Sequence, residues 1–199
     1  MRRGPLSVSL AALCVLSAAP ARGTGWALTD ERRMAADAAS FAPPDFKSQL
    51  AKHSRRLMQG VSDAAAGEGG TRDAAAHRAA AARGARSLAE AIRRHTPFDE
   101  IAYQAGGIVH ELALAHAPRG AAPSDTSLRA RFLGFSAEPF APPETLAAAA
   151  LPSATARERY DAAVTLTARL LAWAWKTAGG NASSAAQYPE AKGPYVVRE

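Results

Sequence analysis

The nine residues from His110 to Pro118, HELALAHAP, place two imidazoles and a carboxylate close together in sequence. These are side chains that bind transition metals and move protons at neutral pH. A His-Glu pair followed by another histidine invites comparison with the HExxH zinc helix, whose histidines, four residues apart, stand about 40° from one another on one face. Here the second histidine is six residues on, about 120° round the helix, and the i+4 position holds Leu114. His110 and His116 therefore cannot share one metal from one face, and a metal at His110 needs donors from other elements. His53 and His77 also fall on apolar helical stripes that face a core. A lone histidine on such a face is usually a hydrogen-bonded core residue, so His53, His77 and His110 each carry a structural reading beside the ligand reading. His95 ends an arginine-rich helix, where an imidazole suits the negative dipole end. Glu111 is either a carboxyl of raised pKa or the partner of a neighbouring arginine, and helix geometry favours the arginine.

Six helical segments position these groups. Leu28 to Ser40 reads as a first helix, stopped by Ala42-Pro43-Pro44. From Asp45 to Val61, Phe46, Leu50, His53, Leu57 and Val61 recur at helical spacing as one amphipathic helix. Gly67 to Gly70 is a flexible break, and Asp73 to Arg94 then carries Ala74, His77, Ala81, Leu88 and Ile92 on one face. Thr96-Pro97-Phe98-Asp99 is a helix start with Thr96 as cap, and the helix over about residues 97–117 is apolar nearly all round. It is the expected buried centre. Its Gly106-Gly107 pair costs about 1 kcal/mol per residue against alanine, which implies close packing of another helix there. Residues 119–143 read as a long Pro/Gly/Ser-rich loop or lid, and Glu144 to Leu151 as a short helix. Ala156 to Thr177 is the last long helix, stopped by Gly179-Gly180. The tail over 181–199 is polar, although Tyr195, Val196 and Val197 could dock as an extended piece. No useful β-alternation occurs, so the class is all-α, a single helical domain over 26–180.

Arg2 and Arg3 precede an apolar run from Pro5 to Ala19 and then small residues, the pattern of a secretory signal over residues 1–25. Cleavage fits after Ala21 or after Gly25, and the second position leaves Trp26 as the new N-terminus. The run is too short to span a bilayer comfortably, so no transmembrane segment is expected once the signal is removed. Cys14 is the sole cysteine and lies in that segment, which excludes disulfides from the mature chain. Removal also takes away Arg2, Arg3 and Arg22 and no acid, lowering the formal charge from +6 to +3. The remaining arginine pairs are scattered, so a nucleic-acid partner is not expected.

The helix ending at Pro118 resembles the central helix of the zinc-dependent phospholipase C and single-strand-specific nuclease superfamily. These are secreted all-α enzymes with a pattern of the form H-x-x-x-D-x-x-Q-P-x-H. His110 matches the first histidine and Pro118 the proline. Trp26 and Ala27 look like the family's mature start, W-G-x-x-x-H, in which the terminal tryptophan amine and carbonyl bind zinc. The resemblance implies a phospholipase C/nuclease-like fold from Trp26 to Thr177. The departures are equally specific. Glu31 stands where the family's first histidine would be, Leu114 replaces the aspartate, Ala117 the glutamine and Gly120 the last histidine, and no histidine follows His116. A three-zinc site cannot be assembled, so no cofactor is expected, with a single zinc as the alternative. One zinc would draw on the Trp26 amine, Glu31, His110 and one of His53 or His77.

The resulting expectation is a secreted or periplasmic phospholipase C/nuclease-like protein that has lost most zinc ligands and acts by binding an envelope protein or a lipid headgroup. The alternatives are a zinc-dependent phosphoester hydrolase with a reduced mononuclear site, and a helical structural envelope protein.

Overall fold

The computed structural model describes residues 25–70, 72–118, 130, 132–133, 140–151, 153–181 and 195–196. The segment before residue 25 that was expected to be a signal, most of the loop over 119–143 and most of the tail lie outside them. The described residues form an all-α domain with helices α1 (Leu28–Ser40), α2 (Pro44–Lys52), α3 (Ser54–Gly67), α4 (Ala74–Arg93), α5 (Phe98–Ala115), α6 (Pro143–Ala147) and α7 (Ala156–Thr177). Strand β1 (Phe132–Leu133) pairs antiparallel with β2 (Tyr195–Val196), so Tyr195 and Val196 do dock as an extended piece. No described helix is long and apolar enough to cross a membrane.

The apolar helix α5 is the hub, packed most extensively against α3 and α4, with α7, α1 and α2 around it. Ile101, Ala102, Ala105, Ile108, Val109, Leu112 and Ala113 are all buried along it. The expected close approach is real and one-sided. A Cβ at Gly106 would meet the backbone of Leu57, Gly60 and Val61, and one at Gly60 would meet the backbone of Tyr103. The α3–α5 crossing thus rests on two glycines with main chain against main chain. Gly107 has open space where its Cβ would point.

Three sequence expectations are corrected. The segment over Asp45 to Val61 is two helices, because the backbone breaks at His53, which closes α2 and precedes α3 at φ −107, ψ 23. Thr96 does not cap α5: the N-cap is Pro97, with no side-chain cap. Instead Thr96 completes the end of α4. His95 sits at φ 55, its N–H donates to the Ile92 carbonyl and that of Thr96 to the Ala91 carbonyl, a Schellman closure built on a histidine in the left-handed region. The stop at Gly179 has the same form, with φ 93 and the Gly180 N–H donating to the Trp175 carbonyl. The short helix α6 ends at Ala147, earlier than the expected Leu151.

Candidate metal centre

Four elements bring polar groups to the C-terminal half of α5. The first turn of α1 supplies Glu31, 4% exposed, whose Oε2 accepts from His110 Nδ1 at 2.8 Å. A carboxylate only accepts, so this bond places the proton on Nδ1 and leaves Nε2 free to act as a ligand. His110 Nε2 is buried, has no hydrogen-bond partner among the described residues, and lies 3.7 Å from Glu68 Oε2. Glu68 ends α3, where the chain leaves the helix at φ −71, ψ 98. Beyond the turn, Asp73 caps α4 by accepting from the Ala76 N–H at 2.7 Å, which fixes the first turn that carries His77. His77, 5% exposed, donates through Nδ1 to Glu111 Oε2 at 2.8 Å.

Glu68, His77 and Glu111 each offer one ligand atom, and these three atoms lie within 4.8 Å of one another. Arg72 crosses the same space. Its Nη2 is 2.6 Å from Glu68 Oε2 and 3.0 Å from Glu111 Oε1, so the expected arginine partner of Glu111 is found, just ahead of α4. The hydrogen bond from Arg72, with help from its charge and those of His77 and His110, holds the Glu68 carboxyl below its ordinary value. Burial pulls the His110 imidazole down, but the Glu31 hydrogen bond and the charges of Glu31, Glu111 and Glu68 together push it above its ordinary value.

The residues suit a zinc-class ion: two carboxylates and an imidazole converge, and a second, buried imidazole nitrogen is orphaned at their edge. A buried nitrogen without a partner costs free energy that a metal bond would recover. Beside the cluster a cleft of about 320 Å³ opens between α4 and α5, with Gly84 and Gly107 on its walls and Glu111 at its edge.

Of the residues proposed from sequence, Glu31, His77 and His110 are brought together. His53 is not: it stands at the start of α3 with its ring 5.9 Å from Phe98 at the start of α5, about 18 Å along that helix from His110. Trp26 places its ring in the core, edge-on to Tyr160 at 5.9 Å, and would offer an amine only on a chain cut after Gly25. Glu31, on the first turn of α1, is buried. His116 stays apart from the cluster, as the 120° separation on the helix requires. Sequence reasoning missed Glu68. It sits inside the Gly67 to Gly70 stretch, which reads only as a break, and its role comes from where α3 stops.

Comparison of the chain with protein-family models, with curated proteins and with solved structures returned no match.

Proposed function

We propose that this chain is a secreted or periplasmic, phospholipase C/nuclease-like protein that keeps one zinc-class site and hydrolyses phosphoesters with it. The observation that carries this is the convergence of Glu68, His77 and Glu111 within 4.8 Å beside the orphaned Nε2 of His110. Glu68, His77 and Glu111 would hold the ion, and His110 faces the same space. When bound, such an ion polarises a phosphoryl oxygen and lowers the pKa of a bound water toward neutrality. Glu31 fixes the tautomer and the orientation of His110. Arg72, 38% exposed, can swing out and offer its guanidinium to a phosphoryl oxygen, and the cleft beside Glu111 gives a substrate room.

A second reading, non-catalytic binding of an envelope protein or lipid headgroup, is favoured by Arg72 itself. The guanidinium already bridges Glu68 and Glu111, so the cluster closes as an ion-pair network without a metal. Hydrolysis of bis(p-nitrophenyl) phosphate by the zinc-loaded protein separates the two. Turnover that chelation and His77→Ala both abolish supports the hydrolase; a zinc-loaded protein with no turnover leaves the binding role.

A further inference from the structure

The central helix carries two adjacent glycines, and packing accounts for one of them. Gly106 meets the backbone of α3, whereas nothing lies within 4 Å of a Cβ at Gly107. Glycine inside a helix is less stable than alanine, so a position that packs against nothing has no structural reason to keep it. What adjoins Gly107 is the cleft of about 320 Å³. On α5 its lining residues Gln104, Gly107, Ile108 and Glu111 stand at i, i+3, i+4 and i+7, and on α4 Ala80, Gly84 and Ser87 stand at i, i+4 and i+7. The cleft therefore follows both helices for two turns, about 10 Å. The helices approach closely along it, because a Cβ at Gly84 would come within 3.0 Å of Ile108 Cγ1.

The two ends of the cleft differ. At one end Glu111 also belongs to the cluster with Glu68 and His77, and the adjacent His110 holds its buried, unpartnered Nε2 at 3.7 Å from Glu68 Oε2. At the other end stand Ser87 and Gln104. Gln104 Nε2 donates to Glu100 Oε1 at 3.3 Å, which leaves its carbonyl oxygen to accept from a ligand. Among the described residues of the lining, Glu111 alone is charged. We infer that the cleft receives the organic group of the phosphoester, a slender, uncharged chain about two helical turns long, and that Gly107 is the residue that admits it. The inference rests on the hydrolase reading only for the place of the phosphoryl group, at the cluster. From there the chain passes Glu111, lies against Ala80, Gly84 and Gly107, and ends beside Ser87 and Gln104. A negatively charged chain would be repelled by the Glu111 carboxylate, and a large side chain at position 107 would fill the space.

The test is calorimetric titration of the zinc-loaded full chain with methylphosphonate and hexylphosphonate, whose P–C bond is not hydrolysed. Burial of the extra methylenes should make hexylphosphonate bind about tenfold more tightly or better. 6-Phosphonohexanoic acid, which carries a carboxylate to the far end, should bind more weakly than hexylphosphonate. Gly107→Leu should lower the hexyl-to-methyl affinity ratio by about fivefold or more, and Ala80→Leu should do the same from the opposite wall if the first variant does not fold. Turnover of hexyl and methyl p-nitrophenyl phosphate separates this inference from the reading it rests on. If neither diester is hydrolysed but the hexyl preference in binding holds and falls in the leucine variants, the hydrolase reading fails and the cleft stands. If both diesters are hydrolysed with equal kcat/KM and the two phosphonates bind equally, the hydrolase stands and the cleft inference fails. Binding of neither phosphonate, or a hexyl preference unchanged in the folded leucine variants, would also overturn it.

Discussion

The Gly106-Gly107 pair allows a sharp test of how the centre is held, because adjacent residues on one helix should respond oppositely to the same methyl group. On helix propensity alone, either Gly→Ala change favours folding by about 0.5–1 kcal/mol. At Gly107 nothing lies within 4 Å of the new Cβ, so Gly107→Ala should be stabilised by about that amount. At Gly106 the methyl would stand 2.7 Å from the Val61 nitrogen and 2.9 Å from the Gly60 carbonyl carbon, with the Leu57 oxygen closer still. Ordinary contact begins near 3.4 Å, so α3 must retreat by at least about 0.7 Å, and main-chain atoms cannot rotate aside. Overpacking of this kind costs about 1–3 kcal/mol and here acts on backbone, so the net loss should be about 2 kcal/mol. For a chain of this size that is about 4–8 °C in melting temperature downward for Gly106→Ala, against about 1–4 °C upward for Gly107→Ala. Because α3 ends in Glu68, Gly106→Ala should also weaken zinc binding while Gly107→Ala leaves it unchanged. Thermal melts monitored by circular dichroism, with a zinc titration of each variant, provide the readout. Equal melting temperatures for the two variants would refute the main-chain contact between α3 and α5.

Four other outcomes follow from the same geometry. Arg72→Gln removes a cation that occupies the carboxylates a metal would use, so zinc should bind severalfold more tightly in a competition assay with a chromophoric chelator; weaker binding would make Arg72 a support of the site and not a competitor. The His116 pKa, about 4 in the fold against 6.5 unfolded, lets the unfolded chain take up a proton that the fold refuses. Stability should therefore fall as pH drops from 6.5 to 4, by at most about 3 kcal/mol, and His116→Gln should flatten this limb in urea melts; an unchanged limb would refute the reasoning. His110 has the opposite sign, since its raised pKa contributes stability below its unfolded value that is lost as pH climbs through the folded one. The turnover predicted for the zinc-loaded chain, and its loss in His77→Ala, tests the hydrolase reading against the binding one.

The all-α class, the first and last long helices and the buried central helix were legible from periodicity and stop signals, because Leu28 to Ser40 and Ala156 to Thr177 end where helix-breaking residues follow. The break at His53 was not legible, since the apolar spacing runs through it unbroken and only the backbone shows two helices. At the site, His77 and His110 could be named because an imidazole on an apolar stripe must face inward. Glu31 was named only through the resemblance, and nothing in its local sequence foretold burial against His110. Glu68 and the position of Arg72 depend on the turn between α3 and α4, where the chain reverses over glycines with no periodicity to read. The glycine pair shows the same limit: spacing foretold a close approach, but only the packing shows that Gly106 takes it and Gly107 borders a cleft.

The proposed hydrolase needs one metal at the meeting point of α3, α4 and α5. Untagged protein purified without chelators can be measured directly for zinc by mass spectrometry, alongside His77→Ala and Glu111→Gln. One equivalent in the wild type, and well under a tenth in each variant with the fold retained, is the predicted result. A folded wild-type protein that holds no zinc even after dialysis against it, or variants that retain a full equivalent, would contradict the metal centre.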